Sequence, residues 1–165
     1  MRFKSFILSA AAAALIFGAV TARADVVIGK PAPALVVRDF SGHVFNLAAM
    51  RGKWVIVNFW ASWCPPCREE MPALSAFYSK HRGRSLAMIG LSADGGSERA
   101  KARAMAKKLS YPAAFYADAT QNGFAAPDML PETVVIGPDG TVAKVFEGEV
   151  TAQKLSAVID EKRVK

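Results

Sequence analysis

The chain has 165 residues, 52% of them hydrophobic, with a formal net charge of +7. That length suits one domain around one core, and the apolar fraction excludes a disordered chain. Three of the basic residues, Arg2, Lys4 and Arg23, fall in the first 24 positions; without them the net charge is +4, too modest to argue for a nucleic-acid partner.

Arg2 and Lys4 give the chain a positive start, Phe6 to Val20 is an uncharged alanine-rich run, and Ala22-Arg23-Ala24 has the small-x-small form of a cleavage site. This pattern reads as a secretory leader, residues 1–24, removed to leave a single domain over 25–165. The alternative is an uncleaved N-terminal anchor that tethers the domain. The run falls short of the ~20 apolar residues that span a bilayer, which favours cleavage and a soluble product. No cysteine follows the run, which argues against lipid attachment, and no later apolar stretch is long enough to cross a membrane. Repeats, low-complexity tracts and dividing linkers are also missing from the sequence.

After Pro31 and Pro33, Ala34–Val37 and Val44–Leu47 read as two short strands joined by the turn Asp39-Phe40-Ser41-Gly42. Trp54–Phe59 is β-branched and aromatic apart from Asn58, as a strand buried on both faces would be. From Cys64 to about His81 the periodicity becomes helical, with Met71, Leu74, Phe77 and Tyr78 at three- and four-residue steps. Leu86–Leu91 is a second buried strand, Ser97–Leu109 a second helix, and Ala113–Ala117 a short strand. Thr133–Ile136 and Thr141–Phe146 flank the turn Gly137-Pro138-Asp139-Gly140. Thr151–Val164 closes the chain as a helix with Thr151 as N-cap. This order predicts an α/β fold, a mixed sheet with helices on both faces. On the second helix Arg99, Arg103 and Lys107 share one side, which we read as a solvated face rather than an anion-binding surface.

Cys64 and Cys67 are the only cysteines, two residues apart in Phe59-Trp60-Ala61-Ser62-Trp63-Cys64-Pro65-Pro66-Cys67. A structural disulfide stabilises most by closing a long loop, and this ring is small. A structural zinc usually needs four protein ligands; His43 and His81 have no partner at metal spacing and read as ordinary surface or turn residues. The pattern suits a pair that cycles between dithiol and disulfide: one sulfur attacks a partner's disulfide, the other resolves the mixed intermediate. Cys64 falls at a helix start, where unpaired N–H groups and the macrodipole favour a thiolate, and Arg68 one turn on can add positive potential. Pro65 and Pro66 lie in the first turn, where a missing N–H costs little, and stiffen the ring. Cys64 is thus expected to be the exposed attacking thiol and Cys67 the buried resolving thiol. Trp63 is read as an apolar platform beside Cys64, and Trp60 as a core residue.

Three segments carry a family resemblance: Asn58 through Pro72, including Cys64-Pro65-Pro66-Cys67-Arg68-Glu69-Glu70-Met71-Pro72; Leu130-Pro131-Glu132-Thr133-Val134-Val135-Ile136 with Asp139-Gly140; and Gly29-Lys30-Pro31-Ala32-Pro33 with Phe40-Ser41-Gly42. On these the chain resembles the thioredoxin superfamily, and within it the secreted TlpA/ResA-like thiol–disulfide oxidoreductases. The resemblance implies a thioredoxin-like fold with an N-terminal β-hairpin extension, and no cofactor. It implies that Pro131 is cis and lies beside the cysteine pair, with Leu130, bulkier than the threonine of many thioredoxins, shaping access. Common thioredoxins carry a buried aspartate where this chain has Asn58. The secreted reductases place acids elsewhere, and the matching positions here are Glu70 and Glu132, both expected near the surface; Glu69 reads as surface alone.

The family further implies a periplasmic protein-disulfide reductase whose clients carry paired cysteines, apocytochrome c or a copper-delivery protein for cytochrome oxidase. A membrane thiol transporter would supply the electrons. Pro-Glu-Thr after Leu130 favours the cytochrome-c branch. Two alternatives stand beside this one: a disulfide-forming oxidant with the same chemistry, and a non-catalytic copper-binding module using Cys64 and Cys67 as soft ligands. A peroxidase fits less well, because no peroxidatic cysteine stands apart from its resolving partner.

Overall fold

Turn chemistry shapes the start of the described chain: in β1 (Leu35–Arg38) and β2 (Val44–Asn46) the expected hairpin forms around Asp39, whose Oδ1 accepts from the N–H groups of Ser41 and His43 at 2.9 and 2.8 Å. The structure is a computed structural model describing residues 26–83 and 85–161, so the leader expected over 1–24 and the helix expected beyond Glu161 lie outside the described residues. A 3-10 helix, Leu47–Met50, leads into β3 (Trp54–Trp60), all of whose residues are buried. Then come α1 (Pro65–His81), β4 (Leu86–Ser92), α2 (Glu98–Ala106) and β5 (Ala113–Phe115). A 3-10 helix at Tyr116–Asp118 ends β5 earlier than the sequence suggested. Beyond it lie β6 (Gln121–Asn122), β7 (Glu132–Ile136), β8 (Val142–Glu147) and α3 (Ala152–Glu161), with Thr151 Oγ1 accepting from the N–H of Lys154 as its N-cap.

The main sheet has the order β5-β4-β3-β7-β8, with β3, β4 and β5 parallel and β7 and β8 antiparallel to their neighbours. Strand alternation assigns its two faces. Trp54 and Ile56 point into a cluster with Leu74 and Phe77 of α1 and Leu155 and Ile159 of α3. Val55, Val57 and Phe59 point the other way, into a cluster with Leu35, Val37, Phe45 and Leu47. That second face is covered by a small sheet, β2-β1-β6, and by the two 3-10 helices. Sequence periodicity missed β6, whose two residues are too few to show an alternation.

The N-terminal extension touches both edges of the main sheet. The N–H of Gly29 donates to Val142 O at 2.8 Å and the N–H of Val142 donates to Lys30 O at 2.9 Å, at the β8 edge. The N–H of Phe40 donates to Ala113 O at 2.8 Å, at the β5 edge.

One surface reading changes and one holds. The basic side of α2 is not simply solvated: the Arg99 guanidinium lies 3.7 Å from the Phe115 ring centroid and pairs with Asp118, and that of Arg103 lies 4.7 Å from the Phe40 ring. Cation–π contact ties α2 to β5 and to the hairpin turn. Both histidines are ordinary: His43 pairs with Asp39 at 3.6 Å and His81 stacks on Phe77.

Candidate active site

Cys64 is the N-cap of α1, in an extended conformation, and its Sγ accepts from the N–H of Cys67 at 3.3 Å. Pro65 and Pro66 fill the next two positions, so the first turn loses no hydrogen bond it would otherwise make. Cys64 and Cys67 are joined as a disulfide with Cα atoms 5.3 Å apart. Cys67 is fully buried, as expected; Cys64 is 4% exposed, so in the oxidised state the attacking sulfur is also largely covered. Leu130 and Phe40 pack against the cluster that holds both cysteines. Trp60 is fully buried, as expected, and Trp63 is 55% exposed. The Arg68 guanidinium reaches back to donate to Ser62 O at 3.2 Å, which brings its charge to the start of the helix.

The loop before Cys64 is anchored by a residue that sequence reasoning passed over. Asp94, 2% exposed, accepts from the N–H of Ser62 at 2.8 Å and from its hydroxyl at 2.7 Å, while Ser92 Oγ donates to the same carboxylate at 2.8 Å. The N–H of Ala93 donates to Trp60 O at 2.8 Å. The C-terminal end of β4 therefore holds the C-terminal end of β3 and the loop that presents Cys64. The one sequence signal was position, at the carboxyl end of a parallel strand, where sites on open α/β sheets gather.

Glu70 departs most from expectation. It is 1% exposed, not near the surface. Its place on α1, three residues after Cys67 and four before Leu74, puts it on the stripe that faces the sheet. There Glu70 Oε1 accepts from Asn58 Nδ2 at 2.8 Å and Oε2 from the N–H of Val150 at 2.9 Å. Asn58 Nδ2 also donates to Thr133 Oγ1 at 3.0 Å. Burial pushes the Glu70 carboxyl up to about 7, against the partial opposition of the Val150 and Asn58 hydrogen bonds; the charge of Glu149 adds to the rise. Asn58 thus does not leave the interior without an acid; it holds one supplied by the helix.

Glu132 sits on the other side of the sheet. It pairs in register with Phe59, whereas Thr133 pairs with Asn58, so the two glutamates occupy opposite faces. Glu132 is half-buried, and desolvation together with Glu147 and Asp128 raises its carboxyl above the usual range. Glu147 is its cross-strand partner on β8. The two acids that the family resemblance grouped together are therefore not brought together. Glu69 is exposed.

The Leu130–Pro131 peptide is cis, and Pro131 is buried at the entry to β7, with its carbonyl accepting from the N–H of Gly148 at 2.8 Å. Met129, just before it, is 51% exposed, so two large apolar side chains, Trp63 and Met129, face solvent in the segments that carry the disulfide and the cis-proline.

A disulfide at a helix start can be opened by a thiolate and re-formed by its own second sulfur. A carboxyl that changes charge near neutral pH lies one helical turn from that second sulfur. Such exchange chemistry, on a mixed sheet with a cis-proline whose preceding residue, Leu130, packs on the cluster that holds the pair, defines a thioredoxin-like thiol–disulfide oxidoreductase. The chain belongs to the AhpC/TSA family, whose model matches residues 28–145. It is 33% identical over 132 residues to the thiol-disulfide oxidoreductase ResA of Bacillus cereus, covering 80% of this chain and 76% of that protein. It is 27% identical over 137 residues to the protein of the same name from Geobacillus kaustophilus, covering 82% and 78%. Among solved structures, a putative thiol:disulfide interchange protein DsbE from Chlorobium tepidum aligns with a TM-score of 0.70 at 23% identity, over 82% of this chain and 97% of that one. A DsbF homologue from Corynebacterium diphtheriae aligns with a TM-score of 0.66 at 28% identity, over 79% and 85%.

Proposed function

We propose that this oxidoreductase works as a reductant of protein disulfides outside the cytoplasm, in the periplasm, after loss of residues 1–24. Among the described residues no helix is long and apolar enough to cross a membrane. The observation that carries the direction is buried Glu70, three residues from Cys67 on the same face of α1. A strong disulfide oxidant is strong because its reduced form is stabilised, and a thiolate contributes to that stabilisation. A carboxylate beside Cys67 disfavours the thiolate, weakens the reduced form relative to the disulfide, and makes the pair a better electron donor.

In the reaction the Cys64 thiolate attacks one sulfur of the client disulfide. A Cys64–client bond forms, the client S–S bond breaks, and the first client sulfur leaves as a thiolate that takes a proton. Glu70, ionised, accepts the proton of Cys67, whose thiolate then attacks Cys64 Sγ. The Cys64–Cys67 bond forms and the second client sulfur leaves. Glu70 returns its proton as that sulfur becomes a thiol. Two electrons pass to the client, and the protein ends in the oxidised state seen here. The backbone at Leu130 pairs with the client segment as an added strand, and Trp63 and Met129 give it an apolar rest. The clients are proteins with paired cysteines, apocytochrome c or a copper-delivery protein, with the Pro131-Glu132-Thr133 run favouring the former. A membrane thiol transporter returns the electrons.

Cys67→Ala tests this reading. Without the resolving thiol the intermediate is retained, so purification from an oxidising compartment yields disulfide-linked adducts through Cys64 to a small set of proteins with paired cysteines. A folded Cys67→Ala protein that forms no adduct, or only adducts with proteins lacking such pairs, overturns the reading.

A further inference from the structure

Four polar side chains meet under α1 at the row where Asn58 of β3 pairs with Gly90 of β4. Glu70 comes down from the helix and binds the Asn58 amide. Trp60, two residues along β3 from Asn58, faces the same side, fully buried. Tyr111, 3% exposed, arrives from the segment before β5, where Pro112 O accepts from the N–H of Gly90 at 2.9 Å. Gly90 marks where the two rings converge: a Cβ there would lie 3.0 Å from Trp60 Nε1 and 3.1 Å from Tyr111 Cε2. Three polar atoms in this group, Asn58 Oδ1, Trp60 Nε1 and the Tyr111 hydroxyl, are buried with no protein partner.

Unpartnered buried polar atoms are uncommon, and several around one point ask for a shared ligand. The set here has complementary capacity. The indole N–H only donates, the amide oxygen only accepts, and the phenol does both. A small neutral molecule that also does both, namely water, satisfies all three, and internal waters typically make about three such bonds. A cation has no place opposite an indole N–H, and an anion none beside an amide oxygen and a carboxyl. The glycine at position 90 keeps the approach free of a side chain.

We infer that Trp60, Asn58 and Tyr111 form a buried water site beside Glu70, and that Tyr111 is a positioning residue that joins the Glu70 carboxyl to this water. Burial pushes the Tyr111 phenol up and the charge of Glu70 adds to the rise, which places the two groups in electrostatic contact. The titratable groups facing Glu70 are Tyr111 from the β4–β5 connection, Glu149 before α3 and Cys67 on α1 itself. With Cys67 held in the disulfide, only Tyr111 of these is a neutral donor at physiological pH. Its ring also lines an outer cleft of about 540 Å3 with Tyr78, Arg82 and Ser110, so it separates the interior carboxyl from solvent. The phenol donates to the water and the water to ionised Glu70, and together they set the pH at which Glu70 can take the Cys67 proton. The functional part of this inference rests on the role proposed for Glu70; the water site and its link to the carboxyl do not.

The test uses the oxidised protein. A high-resolution crystal structure is expected to show one ordered water within hydrogen-bond distance of Trp60 Nε1, Asn58 Oδ1 and the Tyr111 hydroxyl. Carbon-13 NMR titration of the Glu70 carboxyl is then compared in wild type, Tyr111→Phe and Tyr78→Phe. Loosening the water that the phenol holds weakens one hydrogen bond to the carboxylate and changes its ionisation constant by about three- to tenfold, so the Tyr111→Phe midpoint rises by about 0.5 to 1 in pH. Tyr78→Phe, whose ring meets Tyr111 edge-on at 6.3 Å, leaves it unchanged. A dry site overturns the proposal. So does a water with an unchanged Glu70 midpoint in Tyr111→Phe, or an equal rise in both variants. The carboxyl titration needs no thiol. Should Glu70→Gln leave thiol chemistry untouched, the reading of Glu70 as proton acceptor fails while the water site stands or falls on its own data.

Discussion

Asp94 holds Ser62 twice, accepting from its backbone N–H at 2.8 Å and from its hydroxyl at 2.7 Å, across 32 residues of chain. This double hold fixes the loop that turns β3 into the first residue of the redox pair. Replacing the acid with asparagine keeps the shape but puts a donor where two donors already point. Asp94→Asn is expected to lower the stability of the oxidised protein by about 2 kcal/mol, as for loss of a charged buried hydrogen bond, and to slow client reduction. Urea unfolding at neutral pH checks this; a change below ~0.5 kcal/mol would show that the loop holds its shape without the carboxylate.

Glu70 makes stability depend on pH with a definite sign. Its carboxyl stands at about 7 in the fold against an ordinary value of 4.5, so the folded protein keeps a proton that the unfolded chain has released over that interval. The associated stability is complete below about 4.5 and is lost as pH rises through about 7, by roughly 3 kcal/mol for this difference. In Glu70→Gln that decline disappears. Denaturation of the oxidised forms at pH 4.5 and pH 8 reads the difference, and parallel declines in both proteins would sink the assignment.

The two glutamates are expected to separate functionally, because they lie on opposite faces of the sheet. Glu70→Gln removes negative charge next to Cys67 and lowers the upper thiol midpoint by about one pH unit, whereas Glu132→Gln leaves it in place. Thiolate absorbance across pH in the reduced proteins measures both. A shift in the Glu132 variant equal to that of the Glu70 variant contradicts the separation.

Reduction should open Cys64 more than Cys67. Cys64 keeps the helix-start position and slight exposure even when oxidised, while Cys67 has none. Brief alkylation of the reduced protein at neutral pH, mapped by mass, is expected to label Cys64 at least tenfold faster, a ratio that burial and thiolate fraction together support. Equal labelling would remove the distinction between attacker and resolver.

The strands, the helices and the redox motif were legible because their signals are local. A run such as Trp54–Phe59 declares burial on both faces, and two cysteines two residues apart leave few structural uses. The cis state of Pro131 was legible only through family resemblance, since nothing in its neighbours dictates it. Glu70 was misjudged as near the surface although its spacing from Cys67 and Leu74 set it on the apolar stripe; a charged residue type outweighed a positional signal. Asp94, Tyr111 and the Asn58–Thr133 bond depend on chain segments brought together across the sheet, and no local pattern announces them. The edge strand β6 is too short to show a period at all.

The reach of the N-terminal extension bears on what can join this sheet. By bonding Val142 at one margin and Ala113 at the other, it occupies backbone groups that an open sheet would present to any passing extended chain. Under the proposed function, a client segment carrying paired cysteines approaches as such a chain at every turnover. On that proposal, engagement of both margins leaves the turn at Leu130 as the berth for a client strand, and an arriving chain would be steered to the sulfur pair rather than captured along the flank.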